Sequence, residues 1–212
     1  MTTPTASLLR VAIAAAALAS GLSACVPLVV GTGAAVGAMV ATDPRTTGTQ
    51  VDDEGIELRA SSRIAQALGD KVHVNITSYN RQALITGEVP TAADSQRVQE
   101  IVQSVQNVKS VVNALGVMPN STLSERSNDT YITGKVRAKL VDFGDPVATN
   151  AFKIVTERSE VYMLGRVTQF QSSQLTDAAR SIDGVRKVIR VFEIIPDPAP
   201  ARSGAQPATV TR

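Results

Sequence analysis

Between residues 55 and 117 the spacing of apolar positions changes several times, and between 129 and 195 it changes again in the same order. Ile56, Ala60, Ile64 and Leu68 recur every four residues, which predicts a helix over Gly55 to Leu68. Val72, Val74 and Ile76 then alternate with His73, Asn75 and Thr77, the period of a half-buried strand. A polar turn at Asn80-Arg81 leads into a second strand, Ala83 to Val89. Thr91 followed by Asp94 predicts an N-cap for a helix carrying Val98, Ile101, Val102 and Val105. A last strand is expected over 109–117. The second region predicts a helix over 129–141, strands over 152–157 and 160–167, a helix over 168–181 and a strand over 185–195.

The shared order reflects a repeat. ALITGEV (83–89) aligns with VYMLGRV (161–167), placing Gly87 on Gly165, and SVQNVKSVVN (104–113) lies over SIDGVRKVIR (181–190). The expected class is α+β: two tandem αββαβ domains, 55–118 and 128–195, each a three-stranded mixed sheet with both helices on one face. The helix between the second and third strands makes a crossover that should be right-handed. Residues 119–127 read as a short linker. The Pro- and Ala-rich tail, 196–212, holds too little apolar surface to order itself.

Ahead of the repeats an apolar run extends from Val11 to Ala41, preceded by Arg10. A basic start, a short apolar stretch and then small residues are the layout of a secretory signal. Pro27 and the glycines at 31, 33 and 37 make the second half a poor spanning helix, at about 1 kcal/mol per glycine relative to alanine. Leu22-Ser23-Ala24-Cys25 resembles a bacterial lipobox, in which the leader is cut before an acylated cysteine. The resemblance implies a signal peptide over 1–24, lipid on Cys25 and a lipidated tether over 25–54. Val26 is not the aspartate that retains such proteins at the inner membrane, so the periplasmic face of the outer membrane of a Gram-negative cell is expected.

Composition removes several alternatives. The single cysteine excludes an intrachain disulfide, and with no Trp and 3% aromatic residues the cores must be aliphatic. A net charge of +2 gives nucleic acid no strong attraction. The only histidine, His73, reads as a solvated strand residue, and Asp52-Asp53-Glu54 as an exposed stretch of tether. Neither offers a catalytic group or a metal site, and no cofactor or small-molecule substrate is expected.

The order αββαβ, the glycine in the second strand and GVRKVIR opening the last resemble the BON domain of bacterial envelope proteins. ATDPRTTGTQVDDE (41–54) is similar to the linker of dual-BON outer-membrane lipoproteins, and SNDTYITGKVRAKL (127–140) to the first helix of their second domain. In that helix Asp129 is a candidate cap, and Ile132, Val136 and Leu140 should face the sheet. The neighbouring stripe is Tyr131, Gly134, Lys135 and Ala138, with Lys139 at its edge. An amphipathic ring among small residues and ammonium groups suits a lipid headgroup interface. The resemblance implies binding of anionic phospholipid through this helix. Relatives often carry Trp where Tyr131 stands, which implies weaker attachment here. The second repeat has a basic excess and the first an acidic one, which agrees with that assignment. The alternative is a protein-interaction adaptor for envelope or outer-membrane protein assembly machinery.

Cys25→Ser is expected to abolish acylation and leader cleavage together. Intact-mass spectrometry of protein from membranes of the native host should show a diacylglyceryl-cysteine N-terminus in the parent and an unprocessed leader in the variant.

Overall fold

A computed structural model of the chain describes residue 43, residues 45–141 and residues 152–197. The lipobox with Cys25, most of the expected tether and most of the tail lie outside the described residues.

The first domain runs α1 (Thr47–Leu68), β1 (His73–Tyr79), β2 (Gln82–Val89), α2 (Ala92–Gln103), β3 (Ser110–Asn113) and β4 (Gly116–Val117). The second repeats it as α3 (Leu123–Val141), β5 (Phe152–Glu157), β6 (Glu160–Val167), α4 (Gln169–Arg180) and β7 (Lys187–Ile194). In each sheet the middle strand is the second one, antiparallel to the first and parallel to the last. Strand β2 holds β3 and β4 along the same edge.

Three boundaries differ from the periodicity. Helix α1 begins at Thr47 rather than Gly55, because the Thr46 hydroxyl accepts from the Thr49 N–H at 3.2 Å and starts the helix inside the expected tether. Helix α3 begins at Leu123 rather than 129. Thr122 caps it, and Glu125 Oε2 reaches back to the Thr122 N–H at 2.7 Å, so the capping box absorbs much of the expected linker. The strand expected over 109–117 is interrupted at Ala114-Leu115. There the Asn113 side-chain oxygen accepts the Leu115 N–H at 3.1 Å and takes it out of the ladder.

Each domain has its own aliphatic core between helices and sheet. Ile56, Ala60 and Ile64 pack with Ile85, Val98 and Val102 in the first, and Ile132, Val136 and Leu140 pack with Val161, Met163 and Ala179 in the second. A third cluster joins the other faces of the two sheets: Tyr79 and Leu84 meet Tyr162, Leu164 and Val191, with Val112 and Ile189 at its margin. Strand β2 is therefore buried on both faces from Ala83 to Val89. The period of the sequence reported one buried face because the second is covered only when the two repeats pack.

A buried aspartate pins each helix to its hairpin. Asn80 and Arg81 both take positive φ (52° and 67°), as do Arg158 and Ser159 (53° and 61°), the backbone of a two-residue hairpin turn that leaves inward-pointing N–H groups. Asp53 accepts from Asn80 N at 2.8 Å and Arg81 N at 2.7 Å, and Asp129 accepts from Arg158 N at 2.7 Å and Ser159 N at 2.8 Å. Asp53 is thus no exposed tether residue and Asp129 no helix cap. Both are buried, three residues ahead of the first core isoleucine, Ile56 or Ile132.

Asp129→Ala leaves two buried backbone donors unmet and is expected to lower stability by about 3 kcal/mol, read from the urea midpoint. Asp129→Asn, which keeps one acceptor oxygen, should lose clearly less.

Candidate functional site

Helix α3 presents two faces. Ile132, Val136 and Leu140 are buried against the sheet, as the spacing predicted. On the opposite side Tyr131 is 66% exposed, Gly134, Ala138 and Lys139 are exposed, and Lys135 is half-buried. Lys135 Nζ donates to the Asp183 carbonyl at 2.7 Å and stands 5.3 Å from the centre of the Tyr131 ring, within cation–π range. Tyrosine and lysine therefore act as one unit, held to the turn after α4. Lys139 extends the same side by one helical turn, and no hydrogen bond or ion pair engages it among the described residues.

Gly134 sharpens this reading. A side chain placed there would meet nothing within 4 Å, so packing does not demand glycine. Glycine inside a helix costs about 1 kcal/mol relative to alanine. Its effect is to leave bare backbone between Tyr131 and Ala138 on a solvent-facing surface. Sequence reasoning missed Phe170, near the start of α4, which is also 66% exposed. The signal was available, since Phe170 lies off the buried stripe of Ser172, Leu175, Thr176 and Ala179.

A second polar site lies where the domains meet. The structure overturns the solvated reading of His73, whose Nδ1 lies 2.9 Å from Glu88 Oε2 on the neighbouring strand, with the side chain 17% exposed. Glu88 is almost wholly buried. Its Oε2 also accepts from Ser121 N at 3.0 Å, and its Oε1 from Arg158 Nη1 at 3.1 Å. Arg158 comes from the other domain and further donates to the carbonyls of Gly87, at 2.8 Å, and Ala114, at 3.1 Å. Gly87 has φ of 110°, and a Cβ there would collide with the His73 carbonyl, so this glycine is what lets β1 approach β2 at the site.

Opposite them Glu157 is buried, and its one hydrogen bond is from the Asn75 amide at 3.2 Å. Asn75 Nδ2 also lies 3.4 Å from His73 Nε2. One donor atom each from His73, Glu88 and Glu157 lie within 4.8 Å of one another, the set that could hold a metal ion among the described residues. Burial pushes the Glu157 carboxyl above its ordinary value; the Asn75 amide pulls it down and the nearby Glu88 charge pushes it up again. Burial alone would raise Glu88 too, but hydrogen bonds from Ser121, His73 and Arg158 together bring it below its ordinary value. Residues 73 and 157 belong to different repeats, so no local pattern announced this cluster.

Among the described residues no helix is long and apolar enough to cross a membrane. The sequence model of the BON domain matches residues 52–119 and 128–196. The chain is 39% identical to the outer membrane lipoprotein DolP of Haemophilus influenzae, over 82% of its own length and 90% of that protein. It is 30% identical to a 21 kDa hemolysin of Actinobacillus pleuropneumoniae, covering 72% and 79% of the two chains. It is 24% identical to the osmotically-inducible protein Y of Escherichia coli, over 74% and 80%.

Arg158→Met keeps the aliphatic stem and removes the cation beside buried Glu88, so a loss of about 3 kcal/mol is expected at pH 7 in urea denaturation. Because the folded Glu88 carboxyl titrates below its unfolded value of 4.5, its contribution is present above that pH and lost as pH falls through the folded value. The penalty of Arg158→Met should therefore shrink as the denaturation series moves below pH 4.5.

Proposed function

This chain belongs to the BON-domain family, and from that membership we propose that it is a lipid-anchored outer-membrane protein that binds anionic phospholipid through α3 and supports outer-membrane integrity. The likeness to an outer membrane lipoprotein over most of both chains supports the location, and the lipobox at Cys25 supports the anchor. The observation that carries the binding surface is the exposed Tyr131 ring under the Lys135 ammonium, beside a glycine that packing does not require.

The chemistry follows from that arrangement. A tyrosine ring rests at headgroup depth with its hydroxyl in water and its edge among the upper acyl carbons. Lys135 and Lys139, one helical turn apart, meet phosphate, each contributing about 1 kcal/mol near an anionic surface. Such a grip is feeble in free solution. Acylation at Cys25 would make the encounter intramolecular, so that a weak headgroup site is occupied without new contacts. This is a binding role; no group on α3 is asked to do covalent chemistry.

Liposome flotation of the unacylated chain from residue 43 onward, which carries neither the leader nor the anchor, tests it. Binding should require anionic lipid such as phosphatidylglycerol and fall with salt as screening shortens to about 8–10 Å. Lys139→Glu reverses one charge and should weaken binding roughly 30-fold, and Tyr131→Ala should reduce it further. Equal flotation with neutral vesicles, or none with anionic ones, removes the lipid reading and favours a protein partner on the same face.

A further inference from the structure

The family fold does not account for the cluster at the domain junction. It holds the chain's only imidazole, a carboxylate on the adjoining strand of the same domain, and a carboxylate from the other domain. All three side chains are mostly or wholly buried. Among the described residues no cation stands within ion-pair distance of Glu157, and a neutral amide makes the one hydrogen bond to its carboxylate, with Arg158 and His73 acting on it only from further off. An ionised carboxylate that is taken out of water without a counter-charge is costly. Glu88, by contrast, is positioned at both oxygens, by Arg158 on Oε1 and by Ser121 on Oε2.

We propose that His73, Glu88 and Glu157 form a binding site for one divalent transition ion of the zinc class, which ties the two domains together. The donor set is one nitrogen and two carboxylate oxygens, which suits zinc; magnesium and calcium want six or more oxygens. Around a tetrahedral ion with bonds near 2.1 Å, donor atoms stand about 3.4 Å apart. The three atoms here lie within 4.8 Å of one another, and His73 Nδ1 and Glu88 Oε2 are 2.9 Å apart, so side-chain rotations close the shell. Water takes the fourth place. Arg158 then serves as an outer-shell partner through Glu88 Oε1, orienting the ligand without competing for the ion. Glu125 lines the same cleft as Glu88 and Arg158. Asp129, Glu160 and Arg186 line it too, so with Glu157 five carboxyl groups stand against two guanidinium groups, and a divalent ion offsets part of that excess.

The test uses the full chain in detergent with Cys25→Ser, which removes a competing thiol, stripped with chelator and titrated with zinc chloride by calorimetry. One ion per chain is expected. At a hundredfold excess over the dissociation constant, zinc should raise the melting midpoint by about 5 °C. Glu157→Gln and His73→Gln should each weaken binding at least tenfold. Glu157→Gln should melt no lower than the parent without metal, because it discharges a buried acid, and should gain nothing from zinc. If His73→Gln does not fold, the Glu157→Gln comparison decides alone. Zinc affinity unchanged in Glu157→Gln overturns the proposal, as does absence of binding at roughly 100 µM zinc or equal displacement by millimolar magnesium.

Discussion

A two-residue hairpin turn with both residues at positive φ points two N–H groups inward, and something must accept them. In each domain the acceptor is a carboxylate on the preceding helix, Asp53 or Asp129. That pairing joins the first helix to the hairpin before the crossover helix is considered. It fixes which helical face meets the sheet, since Ile56 and Ile132 each follow their aspartate by three residues and open the buried stripe. It also aims the turn residues. With its N–H held by Asp129, Arg158 sends its guanidinium into the other domain, onto Glu88 and two carbonyls. Its counterpart Asn80, held by Asp53, donates in the opposite sense to Glu193. One device, used twice, builds both domains and supplies polar contacts between them.

The junction shows why duplication matters to stability. A three-stranded sheet covered by two helices leaves its second face open, and in a domain of this size an open apolar face is a liability. Tyr79, Leu84, Tyr162, Leu164 and Val191 would be such a face if the repeats stood apart. Packed together they form an apolar patch bordered by Lys153–Glu57 on one side and Arg158–Glu88 on another. The partly exposed first pair contributes the less of the two, whereas the buried second pair is costly to break from either side. Apolar area supplies the attraction, and the buried ions make one arrangement of the two domains preferable to a sliding set.

Local periodicity made the αββαβ order legible twice, because each helix and strand reports one buried face through its own spacing. It also exposed the outward stripe of α3, since Ile132, Val136 and Leu140 leave Tyr131 and Lys139 nowhere to point but outward. What it could not report was the contact between repeats. The alternation in β1 marks His73 as polar and therefore as solvated, yet its ring is mostly buried against Glu88, beside exposed Asn75, which reaches Glu157 of the other domain. Asp52 and Asp53 read as a charged linker because isolated acidic runs usually are. Their partners, Arg81 and the turn amides, lie across a fold that spacing alone does not measure. Asp129 misled for a related reason: aspartate favours helix starts, but Thr122 with Glu125 had already opened the helix.

The two repeats have diverged on the outward face of their first helices. In the second repeat, Tyr131 and Gly134 follow the buried aspartate by two and five residues; at the same distances from Asp53 the first has Gly55 and Leu58. Leu58 is 74% exposed and lacks a polar end, whereas Tyr131 combines an apolar ring with a hydroxyl and a neighbouring ammonium. A phosphate-rich interface discriminates between these, favouring the amphipathic ring and the cation. The acidic excess of the first repeat points the same way, because a surface of like charge would repel it while attracting the second. If the anchor at Cys25 delivers the chain to the membrane, charge decides which repeat touches it, and α3 is the helix that this rule selects.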